Sequence, residues 1–295
     1  MRILFTGGSA CGKSTYAERL LMERSGPGYY IDAMLHDAET RPGRTEKHRR
    51  LSSKKEIQMI GRCTDISGIC LAKRGTVLFE CLCSLTANEM FGRDGAGRKR
   101  AKEAVLTGIE ALAEQCRDMI VITNEVGSDG GGYSRETEEY IEVLGQINTE
   151  MAAGSDVVIE MVCGIPVFHK GMLPDGSRSS TRNGPLLITG AAGSGKRSYI
   201  RSLGWKEKDM ADAVLDERRV VYHAENMAGR MEHQYLVREL LKKDAVIINE
   251  VGCGIIPADA NERVHRLEAG KLAIQLAAQA GHVIRLISGI PVVIK

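Results

Sequence analysis

Short runs of apolar residues alternate along the chain with longer stretches in which apolar residues recur three and four positions apart. The runs at 3–6, 29–31, 77–79, 119–123, 157–162 and 166–169 are short and rich in Val, Ile and Phe, which predicts strands. The stretches 14–24, 98–116 and 134–153 carry the helical spacing. Buried runs alternating with helices predict a mainly parallel sheet covered on both faces. The fold class expected is therefore α/β.

The pattern runs twice. Asn124-Glu125-Val126-Gly127 returns as Asn249-Glu250-Val251-Gly252, and Gly164-Ile165-Pro166-Val167 returns as Gly289-Ile290-Pro291-Val292, both at an interval of 125 residues. The glycine turns that close the first strand of each copy, at Gly7 and Gly190, lie 183 apart, so the second copy is shorter by 58 residues. Between the copies runs a stretch rich in Gly, Ser, Pro and Arg, the composition of a linker. The reading is a complete domain at 1–171, a linker at 172–184 and a shortened copy at 185–295. In the second copy, 245–248 and 283–287 read as buried strands and 267–280 as an amphipathic helix. The shortening removes a strand and the helix after it, so the rest of that sheet needs cover from the first copy or a neighbouring chain.

Composition narrows the classes. Of 295 residues 43% are hydrophobic and 26% charged, enough apolar mass for real cores, and the formal net charge is only +2. A nucleic-acid-coating protein would need a strongly basic face, so none is expected as partner. No apolar run reaches the roughly 18–20 residues of a membrane span, and the first residues do not read as a signal peptide. Eight cysteines without a Cys-x-x-Cys pair argue against a zinc site or disulfide framework. The expectation is a reduced, cytoplasmic globular protein.

Gly7, Gly8, Ser9, Ala10, Cys11, Gly12, Lys13 and Ser14 spell G-x-x-x-x-G-K-S between a strand and a helix. Glycines let backbone N–H groups curl around phosphate oxygens, and the helix N-terminus adds a favourable dipole. Lys13 is placed to reach β- and γ-phosphates, and the Ser14 hydroxyl to ligate Mg²⁺. Glu80 closes the strand at 77–79, where P-loop enzymes keep an acid that holds the metal directly or through water. The second loop, Gly190 to Arg197, keeps its glycines and Lys196 but has Arg197 at the hydroxyl position. Ser198 follows one place late, turned by about 100° on a helix. That loop reads as degenerate, with phosphate binding open and metal-dependent catalysis lost.

These residues come in the order of a known family. The strand and GGSACGKS loop, Tyr30-Ile31, Arg44 to Arg49, Glu80-Cys81 with Asn88, Thr123 to Gly127, Gly145 with Asn148, and Gly164-Ile165-Pro166 resemble the bifunctional adenosylcobinamide kinase/adenosylcobinamide-phosphate guanylyltransferases of cobalamin biosynthesis. The resemblance covers residues 2 to about 170, and 186–295 look like a second, incomplete copy. It implies a kinase that phosphorylates the aminopropanol hydroxyl of adenosylcobinamide, using ATP or GTP with Mg²⁺. It then implies transfer of GMP from GTP to that phosphate through a guanylylated histidine. His48, four after Arg44, matches the family's histidine, and Lys13 serves the phosphoryl transfer. A neutral imidazole is a competent nucleophile near pH 7 and splits the transfer into two displacements. The resemblance also implies that Asp32, Ala33, Arg49 and Glu80 border the nucleotide, that Ser14 and Glu80 hold the metal, and that the chain forms homo-oligomers. Asn124 and Glu125, at a strand end, fall to site architecture or corrinoid binding.

The chain departs from the family in places. Leu51 to Glu56 replace an R-P-x-x-W and T-x-E segment that shapes the guanine pocket, which sets guanylyl transfer behind the kinase step. A G-x-x-P expected after Asn124 to Gly127 is present only in the second copy, as Gly254 to Pro257. Motifs are thus divided between the copies, and a site composed from both stays open. So does a non-catalytic nucleotide-binding regulatory or scaffold protein derived from the family.

Overall fold

A computed structural model describes residues 1–34, 57–128, 131–173, 184–212 and 228–295. Among them, seven strands form one sheet and five form another. The first contains β1 (Arg2–Thr6), β2 (Gly28–Asp32), β3 (Ile57–Gly61), β4 (Thr76–Glu80), β5 (Asp118–Ile122), β6 (Val157–Val162) and β7 (Ile165–Lys170), in the order β3-β2-β4-β5-β1-β6-β7. All pairings are parallel except β6–β7, a hairpin. Among the described residues this half also holds helices α1 (Lys13–Glu23), α2 (Leu82–Phe91), α3 (Ala101–Gln115) and α4 (Arg135–Gly154).

Alternate residues of the central strands feed two cores. Ile3, Phe5, Leu78 and Ile120 meet Ala17, Leu20 and Leu21 of α1. Leu4, Val77, Phe79 and Val121 meet Val105, Ile109 and Leu112 of α3. Burial on both faces explains why these strands read as unbroken apolar runs.

The second half holds β8 (Leu186–Gly190), α5 (Lys196–Ser202), β9 (Met210–Asp212), α6 (Ala228–Leu240), β10 (Ala245–Ile247), α7 (Ala260–Gln279), β11 (His282–Ile287) and β12 (Ile290–Val293). Its sheet runs β12-β11-β8-β10-β9. β8, β10, β11 and β12 pair as β1, β5, β6 and β7 do. The three-residue β9 lies parallel to β10, the place β4 takes beside β5. Among the described residues β9 is the edge of this sheet on the β10 side. Both long helices start on a side-chain cap at the same repeat position. The Ser134 Oγ accepts from the Thr137 N–H at 3.3 Å, and the Asp259 carboxylate accepts from the Glu262 N–H at 2.9 Å.

The halves are joined by a continuous core and a charged seam. Val162 and Cys163 of the first half pack in one cluster with Leu187, Leu272, Leu276 and Val283 of the second. Beside it, Arg285 on β11 binds Glu250 through two nitrogens, at 3.0 and 2.8 Å, and Glu160 on β6 at 2.8 Å. Among the described residues no helix is long and apolar enough to cross a membrane.

Candidate active site at the first glycine loop

The site begins where β1 ends. Gly7 takes φ +125°, a left-handed value, and a Cβ there would stand 2.7 Å from the Met161 carbonyl oxygen. The chain can then curl back over its own carbonyls and enter α1. The buried Lys13 ammonium, 5% exposed, donates to the carbonyls of Gly7 at 2.8 Å and Gly8 at 2.6 Å. One residue on, the Ser14 hydroxyl donates to Glu80. The other Glu80 oxygen accepts from the Tyr30 hydroxyl, which reaches it from β2. β2 and β4 are paired in register at Asp32 and Glu80, so two neighbouring strand ends deliver this triad to the loop.

Glu80 is 6% exposed. Burial pushes its carboxyl up to about 7, against the opposing pull of the Ser14 hydrogen bond and the Lys13 charge. A carboxylate held out of water beside a hydroxyl is a hard-oxygen donor pair of the kind Mg²⁺ takes. The residues present thus fit that ion.

Beyond the loop opens a cleft of about 590 Å³. The first half lines it with the glycine loop, Glu80, Cys81, Asn124, Val126 and Tyr140, and the second half with Ile255, Ile256, Leu267, Lys271 and Ile274. The second half is pinned there by backbone: the Ser9 N–H donates to the Gly252 carbonyl at 2.8 Å. Gly270 of α7 sits against Ala10, where a Cβ would lie 2.6 Å from the alanine Cβ. The cleft wall is therefore built from both halves of the chain. The retained Gly254 to Pro257 segment was the sequence signal for it, but the α7 residues had none.

Other residues singled out from sequence fall behind the cleft. Asp32 and Ala33 are 2% and 0% exposed, and the Ala33 N–H donates to the Glu80 carbonyl at 2.8 Å. Asn88 donates to the Ala33 carbonyl at 2.7 Å, and Asn148 accepts from Thr123 at 2.7 Å while donating to the Asn124 carbonyl at 3.3 Å. Both asparagines brace strand ends. Hydrogen bonds with Cys83 and Ser84 pull the Cys81 thiol below its usual range, and Cys83 moves the other way. His48, Arg49 and the rest of the basic stretch lie outside the described residues. At the second loop, Lys196 repeats the lysine geometry, donating to Gly190 and Ala191 carbonyls at 3.0 and 2.6 Å. Arg197, where Ser14 has its counterpart, is exposed.

The family described as cobinamide kinase / cobinamide phosphate guanyltransferase matches residues 3–168 and 210–294. The stretch between those segments holds the second glycine loop. The chain is 27% identical over 182 residues to the bifunctional adenosylcobalamin biosynthesis protein CobU of Escherichia coli K12, covering 58% of this chain and 100% of that one. It is 26% identical over 182 residues to the protein of the same name from Salmonella typhimurium, with the same coverage. The bifunctional adenosylcobalamin biosynthesis protein CobP of Pseudomonas aeruginosa is 28% identical over 179 residues, covering 58% of this chain and 98% of that protein.

Proposed function

Since the chain belongs to the cobinamide kinase / cobinamide phosphate guanyltransferase family, we propose that it phosphorylates adenosylcobinamide and then guanylylates the product. The observation that carries this reading is the meeting of Lys13, Ser14 and Glu80 at one loop, facing a cleft. In this reading Lys13 neutralises charge on the β- and γ-oxygens of a bound triphosphate, and its seat on the Gly7 and Gly8 carbonyls of the loop supports that role. Ser14 and Glu80 would hold Mg²⁺, which when bound would supply positive charge against the negative charge that develops in transfer. The substrate hydroxyl oxygen attacks the γ-phosphorus and loses its proton to water, the bond from that phosphorus to the β–γ bridging oxygen breaks, and the nucleoside diphosphate leaves. The apolar wall of Ile255, Ile256 and Ile274 suits an arm carrying that hydroxyl, the rest of the corrinoid staying outside the cleft.

Guanylyl transfer follows through His48. Its imidazole nitrogen attacks the α-phosphorus of GTP and expels pyrophosphate. The phosphate oxygen of the phosphorylated corrinoid then attacks the same phosphorus and releases the imidazole. Residues 1–171 form the catalytic unit in this reading, with 185–295 as its cover and a degenerate second loop. The experiment is incubation with α-labelled GTP. An acid-labile, base-stable label on the protein is expected, and no label would remove the histidine step.

A further inference from the structure

Helix α7 crosses the first glycine loop at two points. A Cβ on Gly270 would stand 2.7 Å from the Ala10 carbonyl oxygen, and one on Gly12 would stand 3.6 Å from Cδ1 of Ile274. Between those two points α7 carries Lys271. Residues three and four apart share a helix face, so Leu267, Lys271 and Ile274 form one stripe, and all three line the cleft. Lys271 is thus held beside the part of the loop whose backbone N–H groups would take phosphate oxygens.

The stripe differs from its counterpart 125 positions earlier. Glu142, Gln146 and Thr149 occupy that face of α4, and all three are exposed. In α7 the flanking positions are leucine and isoleucine, and the middle one is a cation. Packing on the loop accounts for the two apolar residues but not for a charge between them. Among the described residues that line the cleft, Lys13 and Lys271 are the cations and Glu80 is the acid. Lys13 is buried on the loop carbonyls. Lys271 is 51% exposed and pairs with Glu268 at 2.5 Å, three residues back on the same helix. Ion pairs open to water are weak, so the ammonium can leave Glu268 for a phosphate at little cost.

We propose that Lys271 contacts the γ-phosphate of a triphosphate held by the first glycine loop, as a second cation supplied by the other half of the chain. The proposal rests on the reading of that loop as a triphosphate site, and not on which acceptor takes the phosphoryl group. Lys13 approaches from inside the loop and Lys271 from the cleft side, so the outermost phosphate lies between two positive charges. Charge already in place around a transferring phosphoryl group is what speeds its transfer. A diphosphate ends short of Lys271, so the residue separates the nucleotide before transfer from the nucleotide after it.

The test is calorimetric titration of the full-length protein with Mg²⁺ present, using the β,γ-imido analogues of ATP and GTP and, beside them, ADP and GDP. Lys271→Gln installs the side chain found at position 146. It is expected to bind the tighter triphosphate analogue ~10-fold or more weakly, the scale of one charge-assisted hydrogen bond, while the matching diphosphate stays within about 2-fold. Lys271→Arg is expected to keep the preference for triphosphate. Lys242→Gln removes a lysine with the same pairing, to Glu239 at 2.5 Å, outside the cleft, and is expected to bind as wild type does. Circular dichroism melts check folding, and Lys271→Ala is the second variant should Lys271→Gln be unstable. Unchanged triphosphate affinity in Lys271→Gln, an equal loss on both nucleotides, or the same loss in Lys242→Gln would overturn the proposal alone. A folded wild type that binds neither triphosphate analogue would overturn it together with the reading of the loop.

Discussion

Glu160 and Arg285 hold the same position in the two repeats, 125 residues apart, and bind each other at 2.8 Å across the seam. The same guanidinium grips Glu250 with two nitrogens. Its side chain is only 19% exposed, and the two acids 17% and 14%.

Removing the base leaves two half-buried carboxylates facing each other. Arg285→Ala is expected to cost about 2–3 kcal/mol, below the ~3–5 of a fully buried pair because water reaches the seam. Glu160→Gln should cost less, since Glu250 still occupies the guanidinium. Thermal melts of the two variants check the order.

Lys13 and Lys196 make matching hydrogen bonds to their loops, yet Ser14 and Glu80 stand beside only the first. Lys13→Ala is expected to lower phosphoryl transfer by ~10²-fold or more, in line with the loss of a preorganised charge. Lys196→Ala should leave it within a few-fold of wild type. Steady-state rates on the two variants decide, and equal losses would contradict a degenerate second loop.

Gly270 leaves no room for a side chain beside Ala10. Gly270→Leu is expected to push α7 off the first loop and weaken nucleotide binding, although residue 270 lies in the other half of the chain. Calorimetric titration with a non-hydrolysable triphosphate measures this. Unchanged affinity would detach the second half from the site.

His48→Ala is expected to abolish the covalent GMP adduct while the kinase step continues. Intact-protein mass spectrometry after GTP treatment, run beside a kinase assay, separates the two.

Much of this was legible in the chain. β1, the glycine loop and α1 announce themselves by an apolar run, a motif and a helical stripe in succession, and Glu80 by its place at a strand end. α2 was not legible: Leu82, Cys83, Leu85, Thr86, Asn88 and Glu89 are buried around its whole circumference, which leaves no stripe to see. β3 was hidden because it is an edge strand with an exposed Gln58 among its apolar residues. α7 begins at Ala260, before the expected 267, because its polar first turns rest on the Asp259 cap with no apolar face. The second half's share of the cleft depends on how two distant segments dock, and only Gly254 to Pro257 hinted at it.

The most direct measurement is mass spectrometry of the corrinoid after incubating the full chain with adenosylcobinamide, Mg²⁺, ATP and GTP. The expected result is a phosphorylated corrinoid that gives way to a guanylylated one, both absent with Lys13→Ala. An unmodified corrinoid under all nucleotide conditions, with a folded protein that binds the nucleotides, would contradict the proposed activity.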